Sequence, residues 1–189
     1  ADLGNNLAAL QYGLLLFYGL DIAENTKEAA KYFKISANNG NSDSMFYYGM
    51  MLYKGDGIIK NTKEAVKFIK KSADLENKLA SFYYGIFLYL GYSTKKNKME
   101  ALKYFKISAD KGFNDAMFIY GILLYKDLDP TIKKEGALYI EMATKEYSDY
   151  STIDLNIINP LCMIQDIYNT VFSDMSWYND LFETFCFSL

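Results

Sequence analysis

Residues 44–73 read SMFYYGMMLYKGDGIIKNTKEAVKFIKKSA, and the fold follows from how this stretch recurs. It holds an apolar helical run, a Gly-x-Gly turn, an Asn-x-x-Glu start and a second amphipathic run: helix, turn, helix. Tyr12-Gly13, Tyr48-Gly49, Tyr84-Gly85 and Tyr120-Gly121 stand 36 residues apart. Leu16, Leu52, Leu88 and Leu124 keep that spacing, as do the small residues Ala8, Ser44, Ala80 and Ala116. Ala29, Ala65 and Ala101 keep it too, and so do Ala37, Ala73 and Ala109. Independent positions sharing one period indicate a repeat array, in which no unit buries its own faces and neighbours complete the core.

The register places complete units at residues 5–40, 41–76 and 77–112, and a divergent fourth at 113–145. Residues 1–4, Ala-Asp-Leu-Gly, match Ala37-Asn38-Asn39-Gly40 and Ala109-Asp110-Lys111-Gly112. They are expected to be the tail of a truncated preceding repeat, which makes the chain a fragment of a longer array. In the first helix of each unit (helix A), Ser44, Tyr48, Met51 and Leu52 share one face. Gly49 falls inside that helix at a cost of about 1 kcal/mol relative to alanine. Its recurrence in all four copies therefore implies a close helix–helix approach.

The second helix (helix B) is expected to start at Asn25, Asn61 and Asn97, each followed by Glu28, Glu64 or Glu100. That spacing predicts a capping box, with the Asn side chain accepting from a free amide and the Glu reaching back. In the fourth copy Asp129-Pro130 takes over the start. Gly136-Ala137 implies a one-residue slip that matches Tyr139-Ile140 to Tyr104-Phe105. The inward stripe of helix B is Ala65, Phe68, Ile69, Ser72 and Ala73. The outward stripe is lysine: Lys27, Lys31 and Lys34, then Lys63, Lys67 and Lys70, then Lys103 and Lys106.

Composition narrows the chemistry. The chain is 51% apolar and 17% aromatic, enough for a continuous core and against disorder. It has 20 lysines, no arginine and no histidine. Histidine-based triads, Cys/His pairs and ordinary zinc sites are thereby excluded, as are bidentate arginine clamps on phosphate or guanine. Net charge is −3, made of +4 over residues 1–145 and −7 over residues 146–189. The latter stretch breaks the period and reads as a non-repeat acidic helical segment. One helix is expected from Asn159-Pro160 to about Phe172, and another around Trp177, Leu181, Phe182 and Phe185, as a helical cap closing the array. Cys162 and Cys186 read better as buried free thiols than as a disulfide. The longest apolar run, Leu79 to Tyr92, has 14 residues, short of the ~20 needed to span a bilayer. No secretory leader is visible. No Asn-x-Ser/Thr sequon occurs among 14 asparagines, which favours the cytoplasm slightly over the endoplasmic reticulum lumen.

Local motifs do not add catalysis. Gly55-Asp56-Gly57 lacks the preceding strand and third glycine of a dinucleotide loop. Ser93-x-x-Lys96 and Ser108-x-x-Lys111 match a lactamase spacing without its companion motifs. Asp127 and Asp129 are too few for a calcium site and suit a turn and cap. The lysine stripe lacks arginine and interleaved exposed aromatics, so it reads as a solubilising face rather than a nucleic-acid surface.

Ser44, Tyr48, Gly49, Leu52, Gly55, Gly57, Asn61, Ala65, Phe68, Ile69, Ser72 and Ala73 together resemble the Sel-1-like repeat, a relative of the tetratricopeptide repeat. The resemblance covers about residues 1–145. It implies an all-α, right-handed solenoid with helices A on the concave side, and an adaptor that assembles proteins without catalysis, cofactor or metal. Protein partners are expected, with further repeats ahead of residue 1 in a full-length chain, and neither nucleic acid nor membrane insertion. The alternative is the regulatory arm of a larger enzyme, such as a kinase or a ubiquitin-ligase complex, whose catalytic part lies outside this chain.

The best candidate site is the helix-A stripe opposite the core face. It comprises Leu14 and Tyr18; Phe46, Met50, Tyr53 and Lys54; Phe82, Ile86 and Tyr89; and Phe118, Ile122, Tyr125 and Lys126. A large apolar face of this kind marks a peptide or helix groove. Burial of the same residues by neighbouring helices is the competing reading, and sequence alone leaves both open.

Overall fold

The computed structural model describes residues 3–146. They form eight helices: α1 (Leu3–Tyr18), α2 (Thr26–Asn38), α3 (Ser42–Lys54), α4 (Thr62–Asp74), α5 (Lys78–Leu90), α6 (Lys98–Asp110), α7 (Asn114–Tyr125) and α8 (Pro130–Glu146). No strand occurs among the described residues. The result is an all-α helical repeat solenoid in which α1/α2, α3/α4, α5/α6 and α7/α8 are the four expected helix pairs. The chain divides into two compact units, residues 1–108 and residues 109–189. The expected cap at 146–189, with Cys162 and Cys186, lies outside the described residues, Glu146 of α8 excepted.

Each pair in the first unit is fastened at both ends. At the turn end, the backbone N–H groups of Asn25, Asn61 and Asn97 donate to the carbonyls of Leu16, Leu52 and Leu88, all at 2.8 Å. At the open end, the Ser36, Ser72 and Ser108 hydroxyls donate to the carbonyls of Asn6, Ser42 and Lys78 at 2.8, 2.7 and 2.7 Å. The first set corrects the capping-box expectation. The Asn side chains do accept from Glu28, Glu64 and Glu100 N–H. The Asn N–H, however, is spent on helix A, so no glutamate reaches it. Glu64 and Glu100 bond the Asn61 and Asn97 side-chain amides instead. In the fourth pair Asp129 caps α8 by accepting from Thr131 N–H at 2.8 Å.

The mid-helix glycines sit where helices touch. A Cβ on Gly49 would meet Ile69 Cγ1 at 2.7 Å and the Ala65 carbonyl at 3.2 Å. On Gly13 and Gly85 it would meet the rings of Phe33 and Phe105 at 2.8 and 2.7 Å, and on Gly121 the Gly136 carbonyl at 2.8 Å. Gly55 and Gly91 end α3 and α5 in the left-handed region, φ 83° and 84°, where glycine carries no Cβ penalty.

The core faces behave as their periodicity requires. Ser44, Tyr48, Met51 and Leu52 are buried, as are Ala65, Ile69, Ser72 and Ala73, while Phe68 is half-buried. In the fourth pair Ile140 is buried against Gly121, the place Phe105 takes against Gly85, so the one-residue slip is present.

Candidate functional site

In the first unit the helix-A stripe divides into a closed part and a rim. Phe46, Met50, Phe82, Ile86 and Tyr89 are at most 6% exposed. Leu14, Tyr18, Tyr53 and Lys54 are half-buried. The closed part follows from helices A lying side by side. The Phe46 and Tyr83 rings meet across α3 and α5 at 5.5 Å, and Tyr53 meets Phe87 at 5.2 Å. Phe82 also packs on Phe105 of α6, with centroids 6.0 Å apart. A helical wheel shows which way a side chain faces and nothing about the spacing to the next helix A. The sequence therefore left groove and core undecided at these five positions, and their burial belongs to packing.

The rim keeps polar ends near solvent. The Lys60 ammonium lies 5.8 Å from the Tyr53 ring centroid and that of Lys98 lies 5.3 Å from Tyr89, within cation–π range. Burial lowers the Lys54 pKa, against a smaller opposing pull from Asp56. Burial raises that of Tyr89. In the second unit Ile122 is buried, Phe118 and Tyr125 are half-buried and Lys126 is exposed. The Lys133 ammonium stands 4.6 Å above the Tyr125 ring.

A second constellation lies at the outer edge of the helix pairs. Tyr84 meets Tyr104 edge-on at 4.8 Å, and the Lys70 ammonium sits 5.7 Å from the Tyr84 centroid. Lys70 also pairs with Asp74 at 2.7 Å, and Asp74 accepts a 2.7 Å hydrogen bond from the Tyr104 hydroxyl. Burial works against the charged Asp74, but hydrogen bonds from Lys70 and Tyr104 outweigh it and hold the carboxyl below its usual range. Burial first, then the bond to Asp74, pushes the Tyr104 hydroxyl far above its usual value. Sequence reading took Lys70 for one member of a solvated stripe. The available signal was the recurrence of Tyr12, Tyr48, Tyr84 and Tyr120 together with an aromatic at 32, 68, 104 and 139.

Among the described residues no three His, Cys, Asp or Glu side chains are grouped to hold a metal ion. No described helix is long and apolar enough to cross a membrane.

The Sel1 repeat model matches residues 6–41, 42–77 and 78–113, one residue out of step with the boundaries read from the sequence. Among solved structures, a Sel1 repeat protein from Oxalobacter formigenes is 29% identical with a TM-score of 0.67, over 75% of this chain and 59% of its own. The protective antigen c5321 of uropathogenic Escherichia coli, which displays an SLR fold, has a TM-score of 0.67 at 22% identity, over 76% of this chain and 31% of its own. The chain thus spans less than two thirds of the first and about a third of the second. No curated protein matches it.

Proposed function

This chain belongs to the Sel1 repeat family, whose repeats are typically non-catalytic protein-interaction scaffolds, and on that footing we propose that it is an adaptor holding a peptide or helix of a partner protein against its helix-A face. The observation that carries the proposal is the rim of Leu14, Tyr18, Tyr53 and Lys54. These side chains stay half-exposed while the stripe between them is closed. Aromatics with one apolar and one wet end suit recognition, since they bury area while keeping a polar handle. Phe118, Tyr125 and Lys126 repeat the combination within the second unit.

The test separates rim from core. A partner captured by the purified chain is identified, purified and titrated against variants. Tyr18→Ala should weaken binding about tenfold or more, as interface anchors do, with little change in unfolding midpoint; Tyr53→Ala should weaken it as much and also lower the midpoint, because its ring packs on Phe87. Phe82→Ala should lower the midpoint itself, because it empties a fully buried site. Rim variants that bind like the unaltered protein would remove the helix-A face from consideration.

A further inference from the structure

The lysines of the first unit do not all find the same partners. On the outward stripe Lys31 pairs with Glu28 at 2.6 Å and Lys70 with Asp74 at 2.7 Å. At the turn end of the helix pairs, Lys60 and Lys98 are exposed and pair with no carboxylate among the described residues. Their ammonium groups stand instead 5.8 Å from the Tyr53 and 5.3 Å from the Tyr89 ring centroid. A ring face attracts a cation but carries no net charge to cancel it. Helices A supply no such charge either. α1 and α5 contain no acid, and Asp43 of α3 lies in the first turn, at the far end, where it accepts from the Asn77 side-chain amide at 2.6 Å.

The turns that carry these lysines form an edge. A Cβ on Gly57 would meet the Thr26 carbonyl carbon at 2.5 Å and the Lys27 nitrogen at 2.6 Å, so the second turn sits directly on the start of α2. Ser93, in the same register one repeat later, keeps the positive φ at 52°. Charge changes sign along the edge. Residues 18–26 carry Asp21 and Glu24 and no lysine, residues 54–62 carry Lys54 and Lys60 against Asp56, and residues 90–98 carry Lys95, Lys96 and Lys98 and no acid. Apolar surface accompanies the cations: Ile59, next to Lys60, is 90% exposed.

We propose that the segment held on the helix-A face is an acidic, partly apolar peptide of a partner protein, with carboxylates on Lys60 and Lys98. Its acid-rich end lies at the third turn, and its apolar end lies at Tyr18, beside Asp21 and Glu24. This rests on the reading of the helix-A face as the binding surface, and adds the chemistry and direction of what binds. A nucleic acid suits the edge less, because bases stack on open aromatic faces and Lys60 and Lys98 stand over those of Tyr53 and Tyr89.

A random-peptide phage library selected on the purified chain tests this. Recovered sequences should be enriched in Asp and Glu, and a synthetic copy of one, labelled for fluorescence anisotropy, is the probe. Lys60→Gln and Lys98→Gln together should weaken its binding about fivefold or more, with little change in unfolding midpoint and the larger share at Lys98. The reverse order overturns the direction. Lys31→Gln makes the same charge change on the outward stripe and should leave affinity within about twofold. An equal loss there overturns the site in favour of general charge attraction. Recovered peptides that need Tyr18 but are not acidic, or that ignore Lys60 and Lys98, overturn the acidic ligand and leave the adaptor reading standing. Peptides indifferent to Tyr18, Lys60 and Lys98 alike, or none recovered, overturn both. A single-stranded oligodeoxythymidylate that binds through the same two lysines more tightly than the peptide overturns the proposal in favour of nucleic acid.

Discussion

Replacing Gly136 by alanine should destabilise the α7–α8 pair, against the usual trend for a helix interior. Alanine is favoured over glycine in helices by about 1 kcal/mol, and Gly136 lies inside α8. An added Cβ, however, would stand 2.6 Å from the Gly121 carbonyl oxygen, 2.6 Å from the Tyr125 nitrogen and 3.0 Å from Leu124 Cβ. Two of these are backbone atoms and cannot rotate away. Ordinary contact begins at 3.4 Å, so the helices must part by roughly 0.8 Å. Parting them loosens the packing around buried Ile122 and Ile140. Overpacking costs about 1–3 kcal/mol, and rigid backbone contacts belong at the upper end. Subtracting the propensity gain leaves a net loss of about 2 kcal/mol. Urea unfolding followed by far-ultraviolet circular dichroism reads it as a lower midpoint at unchanged slope. Gly13→Ala is the comparison: its nearest atoms belong to the buried Phe33 side chain rather than to backbone, so it should cost less than Gly136→Ala. A Gly136→Ala protein as stable as the original, or more so, would refute the close approach.

Two further outcomes are expected. The Ser44 hydroxyl is buried with no hydrogen-bond partner, so Ser44→Ala should be neutral or stabilising, by up to about 1 kcal/mol. Ser72→Ala should lose about 1 kcal/mol with its bond to the Ser42 carbonyl. Paired urea curves decide this, and a larger loss at Ser44 than at Ser72 would contradict it. Burial and then the Asp74 bond raise the Tyr104 pKa on folding. Its contribution is therefore present below the unfolded value of about 10 and lost as pH rises through the folded value. Asp74→Asn should bring Tyr104 ionisation to lower pH in an ultraviolet titration, and Tyr104→Phe should delete that step.

The parts of the fold legible in the sequence were those set by one helix or one turn. Asn25, Asn61 and Asn97 cap their helices because a side-chain oxygen and an amide three residues on meet by local geometry. The slip at Gly136 was legible because Ile140 must replace Phe105 in register. What escaped needs two helices at a known distance. The missing half of each capping box is an example, since the Asn N–H goes to a leucine carbonyl about nine positions back. The candidate stripe divides on the same ground. At Phe46, Phe82 and Ile86 groove and core stay undecided until the neighbouring helix A is placed beside them, which buries them. Tyr18, Tyr53 and Lys54 are half-buried.

The lysines show why charge pattern alone misjudges a repeat surface. Lys31 answers Glu28 within its own helix at 2.6 Å and is exposed, which is what a solubilising stripe predicts. Lys34 and Lys70 stand on the same helices yet reach rings of the next repeat. One turn of helix separates Lys31 from Lys34, and likewise Lys67 from Lys70, so position relative to the neighbour decides which is solvated. Each repeat boundary in the first unit therefore has an apolar interior and an outer seam of aromatic rings under cations. In a solenoid, stability is close to a sum of unit and nearest-neighbour terms. That seam lets the neighbour term vary by single substitutions, such as Asn38 with Phe68 against Asp74 with Tyr104, without disturbing the core of either unit.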